Sequence, residues 1–230
     1  MAEYTLPRRL TAEALGSFFL FAGVLGSGVM AENLADGNVA IALLGNTLAT
    51  GAILFVIIAM LGPVSGAHFN PAVTLAFAIR REIGWREGAA YVLVQLAAGA
   101  MGAWAVHLMF DLPIMQLSTK AREGIGQWTG EGIATFGLVF TILALVRVRR
   151  DAIPMAVALY IVAAYWFTSS TSFANPAITV VRSLSNTFAG IAPGDVPGFI
   201  AAQIAGTILA VVLAGWMFEG GISPRTSSPE

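Results

Sequence analysis

Two tripeptides, Asn70-Pro71-Ala72 and Asn175-Pro176-Ala177, hold the residues best suited to chemistry in this chain. Each asparagine stands directly before a proline and an apolar run. That is the pattern of an N-cap followed by the first residue of a helix. A helix N-terminus carries partial positive charge. An asparagine amide there offers N–H donors to a passing oxygen, and the dipole end repels cations, hydronium included. The expected chemistry is therefore recognition and exclusion without bond making. No nucleophile–base pair and no metal-ligand constellation is visible, the chain has no cysteine, and no cofactor is expected.

The elements that must position these asparagines follow from composition. The chain has 230 residues, 57% hydrophobic and only 11% charged, with mean hydropathy +0.78. A soluble domain usually carries about a quarter charged residues. A polytopic membrane protein is expected, with length for about six spans of roughly 20 residues and no separate soluble domain. No apolar stretch precedes Arg8 and Arg9, so no cleaved leader is expected. A net charge of −1 implies no general attraction to nucleic acid.

Charge-free runs locate the spans: 14–31, 88–110, 132–146 with its flank from 128, and 196–218. Two segments, 37–79 and 152–194, are each 43 residues long and carry no charge except Arg182. As helix, 43 residues would reach about 65 Å, against a hydrocarbon core of about 30 Å. One and a half spans fit each segment. Residues 41–61 form the full span of the first, closed by Gly62-Pro63-Val64-Ser65-Gly66, and 154–167 that of the second. The half-helices are expected over 71–80 and 176–186. The tail, 219–230, reads as polar and cytoplasmic.

The chain also repeats itself. Thr11-Ala12-Glu13-Ala14 echoes Thr129-Gly130-Glu131-Gly132, the two Asn-Pro-Ala sites match, and Gln95 echoes Gln203. The repeats cover 9–110 and 128–218 of a single channel domain, each with three spans and one half-helix. Three spans per repeat invert the second against the first. With the N-terminus inside, nine basic residues lie on the cytoplasmic side: Arg8, Arg9, Arg80, Arg81, Arg86, Arg147, Arg149, Arg150 and Arg225. Lys120, Arg122 and Arg182 lie opposite. That bias puts both termini in the cytoplasm. Irregular backbone at membrane depth must be buried in protein or line a watery cavity. The two breaks should meet near the midplane, as a narrow conduit for neutral, oxygen-bearing solutes.

Ser65-Gly66-Ala67-His68-Phe69-Asn70-Pro71-Ala72-Val73-Thr74, the second Asn175-Pro176-Ala177 and the paired Glu13 and Glu131 resemble the aquaporin and aquaglyceroporin (major intrinsic protein) family. The resemblance covers nearly the whole chain. It implies an all-α membrane fold of six tilted helices and two re-entrant half-helices, one pore per subunit, and a homotetramer in a bacterial inner membrane. It also implies that Glu13 and Glu131 support the loops before the half-helices; read from the residues alone, a proton relay is the alternative. Gln95 and Gln203 either line the pore or join helices. His68 is expected to line the cytoplasmic half of the pore.

The family usually places Arg directly after the second Asn-Pro-Ala, and here stands Ile178. The other three positions of the outer constriction, counted along the family pattern, fall at Thr50, Ala163 and Ser172. None is large or charged, so a filter wider than usual is expected. Arg182, one turn beyond Ile178, is either a displaced basic group at the outer vestibule or an interfacial arginine snorkelling to the surface. Phe173-Ala174-Asn175-Pro176-Ala177 with Thr187-Phe188-Ala189-Gly190-Ile191 is similar to a bacterial branch associated with arsenic resistance. The expected function is a passive channel for metalloid acids such as arsenite and polyols such as glycerol, plus water, and by extension methylated or organic arsenicals. A plain water channel is the alternative within the class. A proton- or ion-coupled transporter is the alternative outside it, although the half-helix junctions offer only Asn, Ser and Thr for coupling.

Overall fold

A computed structural model describes residues 4–219. Eight α-helices follow in chain order: α1 Leu6–Leu34, α2 Val39–Ser65, α3 Pro71–Ile79, α4 Trp85–Met109, α5 Ile125–Val148, α6 Ile153–Phe167, α7 Pro176–Arg182 and α8 Val196–Glu219. Short 3₁₀ turns, Arg150–Ala152 and Pro193–Asp195, lead into α6 and α8. Six of the helical segments are long and apolar enough to cross a membrane. The expected tail from 220 on, Arg225 included, lies outside the described residues, and Glu219, its first expected residue, closes α8 instead.

The burial pattern is that of a protein dissolved in lipid. Glu13, Glu131, Gln95 and Gln203 are fully buried, while Leu34, Leu93 and Trp216 are well exposed. The helices are apolar on all sides, so their inward faces are marked by polar and small residues rather than by hydrophobicity.

Charge gaps marked the membrane-embedded stretch of each helix but not its ends. α1 begins at Leu6, eight residues before the gap at 14, because Pro7 seats comfortably in a first turn and Arg8 and Arg9 need no removal from water there. α2 runs through Pro63 and stops only at Gly66, whose φ of 88° suits glycine. Pro63 therefore lies inside the helix, where the sequence pattern placed its stop. α3 ends at Ile79, close to the expected 80. α7 ends at Arg182, four residues short of 186. There Ser183 turns its hydroxyl back onto the Val180 carbonyl at 2.7 Å, which competes with continued helix.

α1 packs on α2 and α4, and α5 packs in the same way on α6 and α8. α2 meets α6 between the two groups. Each half-helix packs against the third span of both halves, α7 on α4 and α8, and α3 on α8 and α4. Close crossings need missing side chains. A Cβ on Gly102 would come 2.6 Å from the Phe18 carbonyl oxygen, and one on Gly206 would come 2.4 Å from that of Gly132. The α1–α4 and α5–α8 crossings are thus set by glycine in both halves.

Candidate functional site

The two half-helices meet N-terminus to N-terminus through a reciprocal pair of hydrogen bonds. The Asn70 amide donates to the Ala174 carbonyl at 2.7 Å, and the Asn175 amide donates to the Phe69 carbonyl at 2.8 Å. Each side-chain oxygen caps its own helix. Asn70 accepts from the Ala72 N–H, and Asn175 accepts from those of Ala177 and Ile178. Pro71 and Pro176 take the first helical position, and Ala72 and Ala177 are buried beside them. An amide NH₂ has two donors, and each asparagine spends one on this bridge. The second stays available to a solute.

Glu13 and Glu131 hold the loops that deliver the asparagines. Glu13 accepts from the Ser65 hydroxyl, the His68 and Phe69 N–H groups and the Gln95 amide, all at 2.7–2.9 Å. Glu131 accepts from the Phe173 and Ala174 N–H groups and the Gln203 amide at 2.6–2.9 Å. Gln95 and Gln203 also reach Thr74 and Thr179 on the half-helices. Neither glutamine lines the conduit. In this geometry the carboxylates are anchors for backbone donors, as the strength of charge-assisted bonds favours. The loops need anchoring because they are strained. Ala67, Phe69, Ser172 and Ala174 all take positive φ, between 46° and 52°, which β-carbon-bearing residues rarely adopt.

A continuous conduit runs past this junction. Its lining includes Val146, Ile153 and Phe77 towards one end and Thr50, Tyr165, Ile178 and Arg182 towards the other. The space open to the centre of a water-sized sphere is about 110 Å³. One water needs about 10–15 Å³ on that measure, so the conduit holds a short file of molecules. His68, Asn70, Thr50, Ser172, Asn175, Ile178 and Arg182 all line it.

Ala163 does not. It is exposed on the outer face of α6, and Val157, Ile161 and Tyr165 line the conduit instead. Those three recur every four residues, along one helical face, whereas position 163 lies about 200° round from 161. The Tyr165 hydroxyl sits 3.3 Å from the Thr50 hydroxyl. The α6 side chain beside Thr50 on the conduit is therefore a large phenol, which counting along the sequence missed. Ser172 Oγ is buried and has no hydrogen-bond partner among the described residues.

Arg182 is buried, not snorkelling. Its Nε donates to the Ala189 carbonyl, and its guanidinium lies 3.3 Å from the centroid of the Phe173 ring. On the other side of the junction, His68 stacks on Phe77 at 4.8 Å and bonds the Thr74 hydroxyl through Nδ1 at 3.1 Å.

Residues 1–165 match the Major intrinsic protein family. The chain belongs to the major intrinsic protein family. It is 54% identical over 231 residues to "Aquaglyceroporin AqpS" of Rhizobium meliloti, a match covering 100% of this chain and 99% of that one. It is 38% identical over 145 residues to "Aquaporin NIP1-4" of Oryza sativa subsp. japonica, covering 62% of this chain and 52% of that one. The solved structure of the aquaglyceroporin from Plasmodium falciparum shares the fold, with a TM-score of 0.67 at 21% identity, covering 92% of this chain and 95% of that one. The protein is a non-enzymatic, multi-pass membrane channel for water and small solutes.

The major intrinsic protein channel described here has one further layer that the motifs did not reveal. The connection between α4 and α5 lies across the segment after α7. Ser118 N–H bonds the Ser183 carbonyl at 2.9 Å, Ala192 N–H bonds that of Lys120 at 2.7 Å, and Asn186 exchanges bonds with Gln116 and Thr119. His107, at the end of α4, is buried and bridges Ile114 and Ser185 at 2.9 Å on each side. Lys120 and Arg122 come from this connection. Burial, followed by the positive charges of Arg122 and Arg182, pushes Lys120 down to about 8, and burial pushes Arg122 down to about 10. The sequence signal for both was a pair of basic residues, two apart, on the less basic side of the chain.

Proposed function

We propose that this channel passes small uncharged hydroxyl-bearing solutes together with water. Polyols such as glycerol and metalloid acids such as arsenite are the favoured classes, with methylated or organic arsenicals at the upper limit of size. The observation that carries the reading is Ile178, buried against the conduit beside Asn175, where the family usually places a cation. An aliphatic side chain there takes no volume for a hydrated guanidinium and offers apolar contact to a solute's carbon or metalloid face. Ser172 Oγ, without a partner among the described residues, and the spare N–H of each asparagine supply the polar contacts. Arsenite at neutral pH is a neutral molecule with three hydroxyls, which suits a lining of this kind. The close likeness to a protein named as an aquaglyceroporin supports the same class.

The filter is assigned to Thr50, Tyr165, Ser172 and Ile178, with Arg182 one turn further out. Tyr165 favours a second reading, a channel mainly for water, because its contact with Thr50 narrows one side of the passage. The assembly is proposed to be a homotetramer in a bacterial inner membrane with both termini in the cytoplasm, the orientation set by the arginine bias.

Stopped-flow light scattering on proteoliposomes, comparing wild type with Ile178→Arg, separates the two readings. The expected result is that wild type passes arsenite, glycerol and water, and that the variant keeps water but loses at least about tenfold in the larger solutes, the scale of one added charge in a confined site. Passage of water alone by wild type would replace the proposal with the second reading.

A further inference from the structure

Three cations converge on one tripeptide at the outer mouth. The Phe188 carbonyl accepts from Lys120 Nζ at 2.6 Å, the Ala189 carbonyl from Arg182 Nε, and the Gly190 carbonyl from Arg122 Nε at 2.8 Å. Arg182 and Arg122 also share the Phe173 ring, at 3.3 and 4.9 Å from its centroid. Among the described residues, none of the three side chains forms an ion pair with a carboxylate. Asp195 accepts from the Arg122 backbone N–H at 2.7 Å, not from its guanidinium. Each carbonyl satisfies one N–H of its cation. Arg122 spends one more pair of contacts on the Ser170 carbonyl and the Thr171 hydroxyl. The remaining N–H groups of Arg182 and Lys120 have no acceptor among the described residues.

Like charges gathered in a half-buried place repel one another, and what offsets them is partial: backbone carbonyl dipoles, and the carboxylates of Glu131 and Glu32, which act on the cations from a distance without touching them. A cluster of this kind is complete when an anion joins it. Planar, delocalised oxyanions match guanidinium donors well.

We infer that Arg182, Arg122 and Lys120, held by the Phe188–Gly190 carbonyls, form a binding site for a small monovalent oxyanion, and that an anion seated there obstructs the conduit. Obstruction follows from placement, because Arg182 is itself part of the conduit lining. The site is independent of which neutral solute the channel passes. It makes flow sensitive to the anions outside the cell.

The probe is nitrate, which takes up no proton near neutral pH and so cannot pass as a neutral acid. Water flow is measured by stopped-flow on vesicles of zwitterionic lipid, with external nitrate replacing a bulky morpholine-ethanesulfonate at constant ionic strength. Flow through wild type should fall at least about threefold and saturate with nitrate. The half-blocking concentration, normalised to each protein's own nitrate-free flow, should rise at least about threefold in Arg122→Gln and in Lys120→Gln, as expected for removing one nearby charge. Arg122→Lys keeps the charge and serves if Arg122→Gln does not fold. Raising pH from 7 to 8 should weaken the block of wild type, because Lys120, at about 8, is the first of the three cations to lose its proton. The groups acting on Lys120 are Arg122 and Arg182, which lower its proton affinity, and Glu32, which raises it. That pH effect between 7 and 8 should be at least halved in Lys120→Gln. A wild-type flow indifferent to nitrate, or half-blocking concentrations equal in all variants, would overturn the inference.

Discussion

Two residues before its asparagine and seven after it, the first repeat carries His68 and Phe77, and the second carries Phe173 and Arg182. Four residues before the repeated glutamine, Gln95 or Gln203, stand Tyr91 in one and Phe199 in the other. The geometry of these trios is nearly the same. His68 meets Tyr91 edge-on at 5.3 Å and 64°, and Phe173 meets Phe199 at 5.0 Å and 66°. His68 stacks on Phe77, while Phe173 lies under the Arg182 guanidinium. The inverted repeat has thus kept one scaffold at both ends of the conduit and exchanged what it presents. The inner end shows an imidazole between two aromatic rings. The outer end shows a phenyl ring beneath a cation. A scaffold built by backbone donors on Glu13 and Glu131 tolerates such exchange, because the anchors do not involve the side chains that change.

The largest test of that comparison removes the anchors. Glu13→Leu strands two backbone N–H groups, a serine hydroxyl and a glutamine amide, and Glu131→Leu strands two N–H groups and an amide. At roughly 1.5–3 kcal/mol for a hydrogen bond to a charged group, each variant should lose more than about 3 kcal/mol, and Glu13→Leu more than Glu131→Leu. Monodisperse yield in detergent and thermal unfolding read this out. Equal, near-wild-type stability of both would show that the loops are held by packing alone.

Arg182→Phe makes the outer end resemble the inner one. Proton leak into vesicles carrying a pH-sensitive dye should rise about tenfold, since one unpaired charge on the path has been removed, while water flow changes by less than about threefold. An unchanged leak would assign proton exclusion wholly to the half-helix dipoles and the asparagines.

Tyr91→Phe gives the inner trio the residue of the outer one. Tyr91 donates to the Ser65 carbonyl at 3.0 Å and accepts from Arg9 at 2.9 Å, links that Phe199 cannot make. Arg9 also pairs with Glu87. Loss of the hydroxyl should cost about 1–2 kcal/mol in thermal stability with flow little changed. A large change in flow would place Tyr91 in the passage rather than behind His68.

Much of the fold was legible because its signals are repeated and local. Asn70 and Asn175 before proline, the two overlong apolar segments and the matched Glu13 and Glu131 each constrain the chain without reference to distant neighbours. Helix ends were less legible. Charge gaps report where lipid begins, and α1 and α5 extend beyond that. The lining of the conduit was half legible. Thr50, Ser172 and Ile178 do line the conduit, because they sit on α2 or close to an asparagine anchor. On α6 counting failed at Ala163, since no motif fixes the rotation of that helix and an apolar helix has no polar face to betray it.

The sequence by itself determined that this protein crosses a membrane six times and brings two asparagine-capped half-helices together, because low charge and helix capping are properties of short stretches of chain. Only the tertiary structure decided that Tyr165 faces Thr50, that Arg182 is buried on the conduit, and that Lys120 and Arg122 join it at one tripeptide. The first of those contacts links residues 115 positions apart, and Lys120 and Arg122 each reach a carbonyl 68 positions away. They depend on how helices rotate and how a connecting segment folds back, which no local pattern records.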